Sequence, residues 1–332
     1  MLRVNRRVIK RCGKIVPFVF VLALLTTSGN KSWNTYVLAL ALTGVVGNRY
    51  WKDLKQDAEE KHLKSRLPDA FRNLNINAIK AIQEKTCADR EFTFVVLGDS
   101  QRRHKVFRKV LQDASRHNPD FFIHTGDLTT GGRYHQYRES VEAISDFKTP
   151  IVFGMGNHDI SHNGERFFSL MFGPQNFFFD VGGCRFIFIN NNSEKVSCSI
   201  DSLPHSRNGD VYPNGIDEYT LESIEKLIAE KKNVFLVMHM PPPIGPFRLH
   251  GFHMNSSRFL ALMEKYSDRV RSVFCGHIHG YAEIELNDIP YVITGGAGGP
   301  LRKNYDGIVA RHHYVVVKAA GSSVTRHVHY VS

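Results

Sequence analysis

The chain has 332 residues, 42% of them hydrophobic, enough for one large domain or two ordinary ones with a sizeable core. Its formal net charge is +11, but residues 1–66 hold 13 Lys+Arg against 4 Asp+Glu, a net of +9, which leaves +2 for the rest. No basic stripe interleaved with aromatics tracks a phosphate backbone, so no nucleic-acid partner is expected; five cysteines without a Cys-x-x-Cys pair argue against a zinc ribbon.

Residues 1–14 carry basic side chains and no acid, and apolar runs follow at 15–25 and 36–46. Each run is shorter than the roughly 17–25 residues of a spanning helix. A cleaved signal peptide (with Thr27-Ser28-Gly29 as the small-residue site), a single anchor, a helical hairpin and a pair of core helices all fit this pattern. Basic residues on both flanks (Arg49, Lys52 and Lys55 on the second) favour the hairpin. Residues 1–50 are therefore read as a membrane-targeting segment that would associate the protein with a membrane. Residues 51–90 read as a helical connector, with a charged amphipathic stretch to Arg66 and a helix over 73–85. Residues 91–332 read as the main domain.

From Glu91 the pattern becomes α/β. Strands are expected at 92–97, 121–123 and 151–153, with helices at 104–117 and near 137–144. Gly182-Gly183 between the runs 177–181 and 184–190 signals a two-residue hairpin. Residues 191–215 read as a polar surface loop and 219–231 as a helix. Further strands are expected at 234–238, 270–274, 282–286, 291–294, 313–318 and 324–331. The helices thin out toward the end, which predicts two sheets packed face to face with helices outside. Cys275 ends an apolar run and is expected to be a buried thiol; Cys184 and Cys198 are a possible pair in an oxidising compartment.

The residues just past each strand carry the chemistry. Strand 92–97 ends in Gly98-Asp99-Ser100-Gln101, and strand 121–123 leads to Gly126-Asp127. Strand 151–153 leads to Asn157-His158-Asp159, strand 234–238 to His239, and strand 270–275 to Gly276-His277-Ile278-His279. Parallel strands would gather these ends along one edge, where open α/β sheets bind ligands. Two carboxylates, an amide and several imidazoles suit two divalent transition metals about 3.5–4 Å apart with a bridging carboxylate. His277 and His279, two residues apart on an extended segment, would share a face.

In this order the residues resemble the calcineurin-like metallophosphoesterase superfamily, with its D-x-H, G-D, G-N-H-[DE], H and G-H-x-H pattern, over about residues 91–330. The Tyr291–Gly299 run is a looser match to a turn of that family's last sheet. The resemblance implies a four-layer α/β/β/α sandwich of two mixed sheets. It implies metal one on Asp99, Gln101, Asp127 and His279, metal two on Asp127, Asn157, His239 and His277, and His158 above the substrate. Gln101 stands where the family commonly has His. The expected cofactors are two divalent metal ions drawn from Mn²⁺, Fe²⁺/Fe³⁺, Zn²⁺ and Mg²⁺; the amide oxygen of Gln101, a harder and weaker ligand, would bind metal one weakly, bind it through water, or shift its preference toward Mn²⁺ or Mg²⁺.

The expected activity is hydrolysis of a phosphomonoester or phosphodiester by a hydroxide bridging the metals. His158 would protonate the leaving alkoxide, and Asp159 would hold its ring. Arg102, Arg103, His104 and Lys105 either grip a substrate phosphate or form the solvated start of a helix. His250 and His253 read as pocket lining or as surface histidines. A membrane-associated pyrophosphatase acting on a nucleotide-linked lipid or sugar, and a non-catalytic scaffold, are the competing functions.

Overall fold

Phe92, Phe94 and Val96 alternate with Thr93, Val95 and Leu97, and all but Thr93 are buried. A strand apolar on both faces belongs inside a sheet covered on both sides. The computed structural model describes residues 67–86, 91–192, 214–303 and 306–332. Its strands are β1 (Phe92–Leu97), β2 (Phe121–His124), β3 (Ile151–Phe153), β4 (Phe177–Val181), β5 (Cys184–Ile189), β6 (Val234–Met238), β7 (Val270–Cys275), β8 (Tyr281–Leu286), β9 (Ile289–Thr294), β10 (His313–Ala320) and β11 (Ser323–Tyr330). Its helices are α1 (Leu74–Lys85), α2 (His104–Ser115), α3 (Tyr134–Glu142), α4 (Gly164–Met171), α5 (Glu218–Ala229) and α6 (Ser256–Lys265).

Among the described residues these strands form two mixed sheets, ordered β11-β10-β1-β2-β3 and β4-β5-β6-β7-β9-β8. In the first, β1, β2 and β3 run parallel and β10 joins β1 antiparallel. In the second, β5, β6, β7 and β9 run parallel, and β4 and β8 close the edges antiparallel.

The sheets face each other across an aromatic layer. Phe94 stacks on Phe121 of its own sheet at 5.4 Å and meets Phe186 and Phe235 of the other edge-on at 5.1 and 5.3 Å. Each such ring stabilises the fold by about 1.5–3 kcal/mol on full burial. Helices pack on the outer faces. Phe107, Val110, Leu111 and Ala114 form the buried stripe of α2 at helical spacing. Leu221, Ile224 and Ile228 do the same for α5, whose Asp217 cap accepts from the Thr220 N–H at 2.8 Å.

Gly182 and Gly183 have φ of 54° and 74°, both left-handed, which matches the hairpin turn expected between β4 and β5. Cys275 is a buried thiol, and so is Cys184; Cys198 lies outside the described residues.

Two expectations need correction. The helix α1 is not part of a connector: Ala78 and Ile82 lie in the core between the sheets, and the Asn75 side chain bonds both the N–H and the C=O of Phe153 at 2.9 Å. Asn75 thus seals the free edge of β3, and residues Pro68–Ser332 form one unit. Asn191 and Asn192 are not surface loop but fully buried. Helices α4 and α6 were not anticipated, because their short apolar stripes sit between polar loops. The amino-terminal readings over residues 1–66 lie outside the described residues; among those described, no helix is long and apolar enough to cross a membrane.

Candidate metal centre

Register brings the strand ends together. Leu97 pairs with His124 and His124 with Phe153, so β1, β2 and β3 finish side by side. In the second sheet Val237 pairs with Phe274 and Cys275 with Ile293. Immediately beyond these ends the backbone turns left-handed at ordinary residues. Asp99 (φ 59°), Gln101 (43°), Asp127 (57°), His277 (70°) and His279 (48°) all occupy that region. Such conformations cost roughly 1–3 kcal/mol each and cluster at functional loops.

The loops converge on Asp127. Its Oδ1 lies 3.4 Å from His239 Nε2, while its Oδ2 lies 3.2 Å from Gln101 Nε2 and 3.8 Å from His158 Nε2. On one side, Asp99, Asp127 and His279 offer ligand atoms all within 4.8 Å of one another. His279 Nε2 is 3.3 Å from Asp99 Oδ1 and 3.2 Å from the Gln101 amide nitrogen. On the other side, Asn157 Oδ1 lies 3.0 Å from His239 Nε2 and 2.9 Å from His277 Nδ1.

The remaining ring nitrogens fix the tautomers. His239 Nδ1 donates to the Thr125 carbonyl and His279 Nδ1 to the Pro300 carbonyl, which turns both Nε2 atoms inward. Gln101 presents its amide nitrogen; a half-turn of the amide exchanges it for the oxygen without moving the chain. His277 and His279 reach the cluster by a different route from the one expected. The segment is not extended: Ile278 N–H bonds back to the Gly276 carbonyl at 2.9 Å, and the two left-handed histidines flank a buried Ile278. They therefore point to opposite halves of the site.

Glycines let the loops close. A Cβ on Gly156 would lie 2.2 Å from Asp127 Oδ1, and one on Gly276 2.5 Å from Asp99 Oδ2. The electrostatics are those of a cation site. Burial alone would lower the His239 pKa, yet the facing Asp127 carboxylate raises it to about 9. Burial likewise opposes charge on His279, and its hydrogen bond to Asp99 overrides that and raises its pKa. Burial would raise the Asp127 pKa, but the charge and hydrogen bond of His239 hold it well below the ordinary carboxylate range. Protons on imidazoles here balance buried carboxylates, and a divalent cation displaces such protons on binding. Nitrogen and oxygen donors in both halves, with one carboxylate between them, fit a pair of first-row divalent metals.

Other expected site residues lie elsewhere. Asp159 does not hold the His158 ring. Its buried carboxylate accepts from the N–H groups of Thr129, Leu128 and Gly156 and from the Thr129 hydroxyl. The His158 Nδ1 instead donates to the Thr130 carbonyl at 3.2 Å. Arg102 turns to Glu139 of α3 at 2.5 Å, and His104 lies 3.3 Å from Ser140 of the same helix. Both side chains are engaged by α3, while the Arg102 N–H bonds the Leu128 carbonyl of the Asp127 loop at 3.2 Å. Arg103 and Lys105 are exposed at the start of α2.

Several residues at the site were missed. His124 is fully buried; its Nδ1 accepts from the Gly126 N–H and its Nε2 lies 3.1 Å from the Ser100 hydroxyl, tying the Asp99 loop to the Asp127 loop. Burial pushes its pKa down to about 3, so it serves as a neutral strut. Asn192 donates to the Met155 carbonyl at 2.9 Å and Asn191 to the Met240 carbonyl at 2.7 Å, fastening the loops after β3 and β6. Arg302 sits at the rim, its N–H on the His279 carbonyl. After burial itself, the Arg302 charge is a further cause of the lowered pKa of His250. A histidine at the end of β2 was the one sequence signal available for this set.

Comparison with known proteins agrees with this geometry. A family model described as calcineurin-like phosphoesterase matches residues 92–281. The chain is 28% identical over 176 residues to a probable glycerophosphodiester phosphodiesterase of Arcobacter nitrofigilis, covering 52% of this chain and 60% of that one. It is 25% identical over 177 residues to the 3′,5′-cyclic adenosine monophosphate phosphodiesterase of Escherichia coli K12, covering 52% of this chain and 58% of that one. The match thus spans well under two thirds of either relative. Among solved structures, a dimetal phosphatase from Danio rerio superposes with a TM-score of 0.51 at 12% identity, over 73% of this chain and 99% of that one. That likeness speaks to the fold. With the family model spanning 190 of 332 residues, the chain belongs to the calcineurin-like phosphoesterase family.

Proposed function

We propose that this protein hydrolyses phosphodiesters with two divalent cations held by Asp99, Gln101, Asp127 and His279 on one side and Asp127, Asn157, His239 and His277 on the other. The observation that carries the reading is the division of Asp127, whose two oxygens face two separate donor groups. The diesterase names of the relatives support the substrate class. Bound there, such cations acidify a water and neutralise charge on the phosphoryl oxygens.

The chain's own residues do the rest. His158 is partly exposed and turns Nε2 toward the Asp127 side while Nδ1 stays on Thr130. Protonated at Nε2, it can hand a proton to the leaving oxygen, worth roughly 10²–10⁴-fold on poor leaving groups. The loops beneath the cluster are buried at Gly98, Gly126, Gly156 and Gly276. No observation favours the pyrophosphatase version, and the full donor set argues against a scaffold. The amino-terminal runs support membrane association: the full chain should sediment with membranes, whereas a chain starting near Asn73 should not.

The test is turnover in Mn²⁺ of a diester, a monoester and a pyrophosphate ester side by side. The reading expects the diester to have the highest kcat/KM. Preference for pyrophosphate, or no turnover of any of the three, would overturn it.

A further inference from the structure

The buried Asp159 carboxylate and the Thr130 carbonyl form a chain of contacts that ends on the His158 ring. We propose that Asp159 and Thr129 are positioning residues, which set the orientation and tautomer of His158 through the main chain of Thr130. The inference rests on the phosphodiesterase reading for its kinetic consequence, but not for its structural one.

The His158 side chain is 44% exposed, so packing does little to fix it. Its ring is held by the hydrogen bond from Nδ1 to the Thr130 carbonyl at 3.2 Å. A carbonyl only accepts, so Nδ1 carries the hydrogen and Nε2 is left on the site side. Whatever fixes Thr130 therefore decides which nitrogen of His158 serves the reaction.

Thr130 is fixed from both ends. On one end, Asp159 accepts the Thr129 N–H at 2.8 Å, the Leu128 N–H at 3.2 Å and the Thr129 hydroxyl at 2.8 Å. On the other, the same Thr129 hydroxyl accepts the Gly132 N–H at 2.9 Å, closing a turn around Thr130 and Gly131. The turn is pressed against the strand-end loop that carries His158. A Cβ on Gly132 would lie 2.4 Å from the Asp159 carbonyl, and Gly132 has φ of +61°. The fourth bond of Asp159, from the Gly156 N–H at 3.0 Å, ties this arrangement to the loop before Asn157. Four donors converge on the buried Asp159 carboxylate and hold it in place.

Thr129→Val removes the hydroxyl with little change of shape and leaves Asp159 three donors. It should lower kcat on an alkyl diester about tenfold, a fraction of the roughly 10²–10⁴-fold worth of general acid catalysis, and affect an activated nitrophenyl diester much less. Thr129→Ser, which keeps the hydroxyl, should restore wild-type selectivity between the two esters. In a His158→Ala background Thr129→Val should have no further effect, because its action runs through His158. Equal loss on both esters, or an undiminished effect in the His158→Ala background, would overturn the proposal.

A second readout needs no turnover and no variant. In ¹⁵N-histidine spectra of the wild-type protein, His158 should be protonated at Nδ1 while neutral. Finding the hydrogen on Nε2 would refute the proposal whatever the enzyme hydrolyses. Absence of wild-type turnover would instead count against the phosphodiesterase reading and leave the spectrum to decide the positioning role.

Discussion

Gly156 is where the two loops that carry the central carboxylate and Asn157 come closest, and a single methyl there tests whether that approach matters. A Cβ at this position would lie 2.2 Å from both the Asp127 N and Oδ1, and 2.9 Å from its Cα. Ordinary contact begins near 3.4 Å, so Gly156→Ala must part the loops by about 1 Å. Nothing flexible can yield: the clashing atoms are backbone and a carboxylate bonded to the His158 N–H at 2.8 Å. Overpacking of this kind costs about 1–3 kcal/mol. At about 2–4 °C per kcal/mol for a unit of this size, the midpoint of thermal unfolding should fall by about 2–12 °C.

The effect on the site should be larger than the effect on the fold. A displacement of about 1 Å at reacting groups can cost about 10²-fold in rate. Gly156→Ala should therefore bind Mn²⁺ more weakly and turn over about 10²-fold more slowly, although it is folded at 25 °C. Calorimetric Mn²⁺ titration, thermal unfolding and diester turnover on one preparation separate the two effects. A folded Gly156→Ala with wild-type Mn²⁺ affinity and rate would refute the claim that the close approach of these loops builds the centre.

Three further outcomes are expected. Gln101→His should tighten binding at the Asp99, Asp127 and His279 half and shift preference toward zinc, whereas Gln101→Ala should weaken it modestly; Mn²⁺ and Zn²⁺ titrations of activity give the order. Asn75→Ala should leave the Phe153 N–H and C=O at the edge of β3 unpaired and lower stability by about 2 kcal/mol in urea, with turnover changed less than stability. Arg185 is 6% exposed and bonds Asp180 at 2.8 Å and Glu230 at 2.7 Å, so Arg185→Met should cost about 2–3 kcal/mol. Burial would raise the Asp180 pKa, but its bonds to Arg185 and Lys231 hold it below the ordinary carboxylate value. This stabilisation is complete above that value and disappears as pH falls through the lowered one, so the acid limb of the stability profile should flatten in Arg185→Met.

The ligand types were legible in the sequence because parallel strands end in register, so polar residues just past each apolar run meet at one edge. The apolar run Phe92–Leu97 and the glycine pair at 182–183 were legible as a buried strand and a hairpin turn for the same local reason. What escaped was set by contacts between loops distant in sequence. Asp159 looked like a partner for its neighbour His158, yet it bonds donors 30 and 31 residues away. Asn191 and Asn192 read as polar loop because their acceptors, Met240 and Met155, lie on distant loops after β6 and β3. Arg102 read equally as a phosphate grip or a solvated helix start, because its partner Glu139 on α3 is 37 residues away. His277 and His279 reached the site through left-handed turns that no spacing rule describes.

The central claim is that Asp127 joins two metal sites, and the direct measurement is Mn²⁺ stoichiometry with electron paramagnetic resonance of the loaded protein. The wild type should bind two Mn²⁺ per chain and show an exchange-coupled spectrum, and Asp127→Ala should lose the coupling together with all activity. A single Mn²⁺ per chain with an uncoupled spectrum in the active wild type, or coupling that survives in Asp127→Ala, would contradict it.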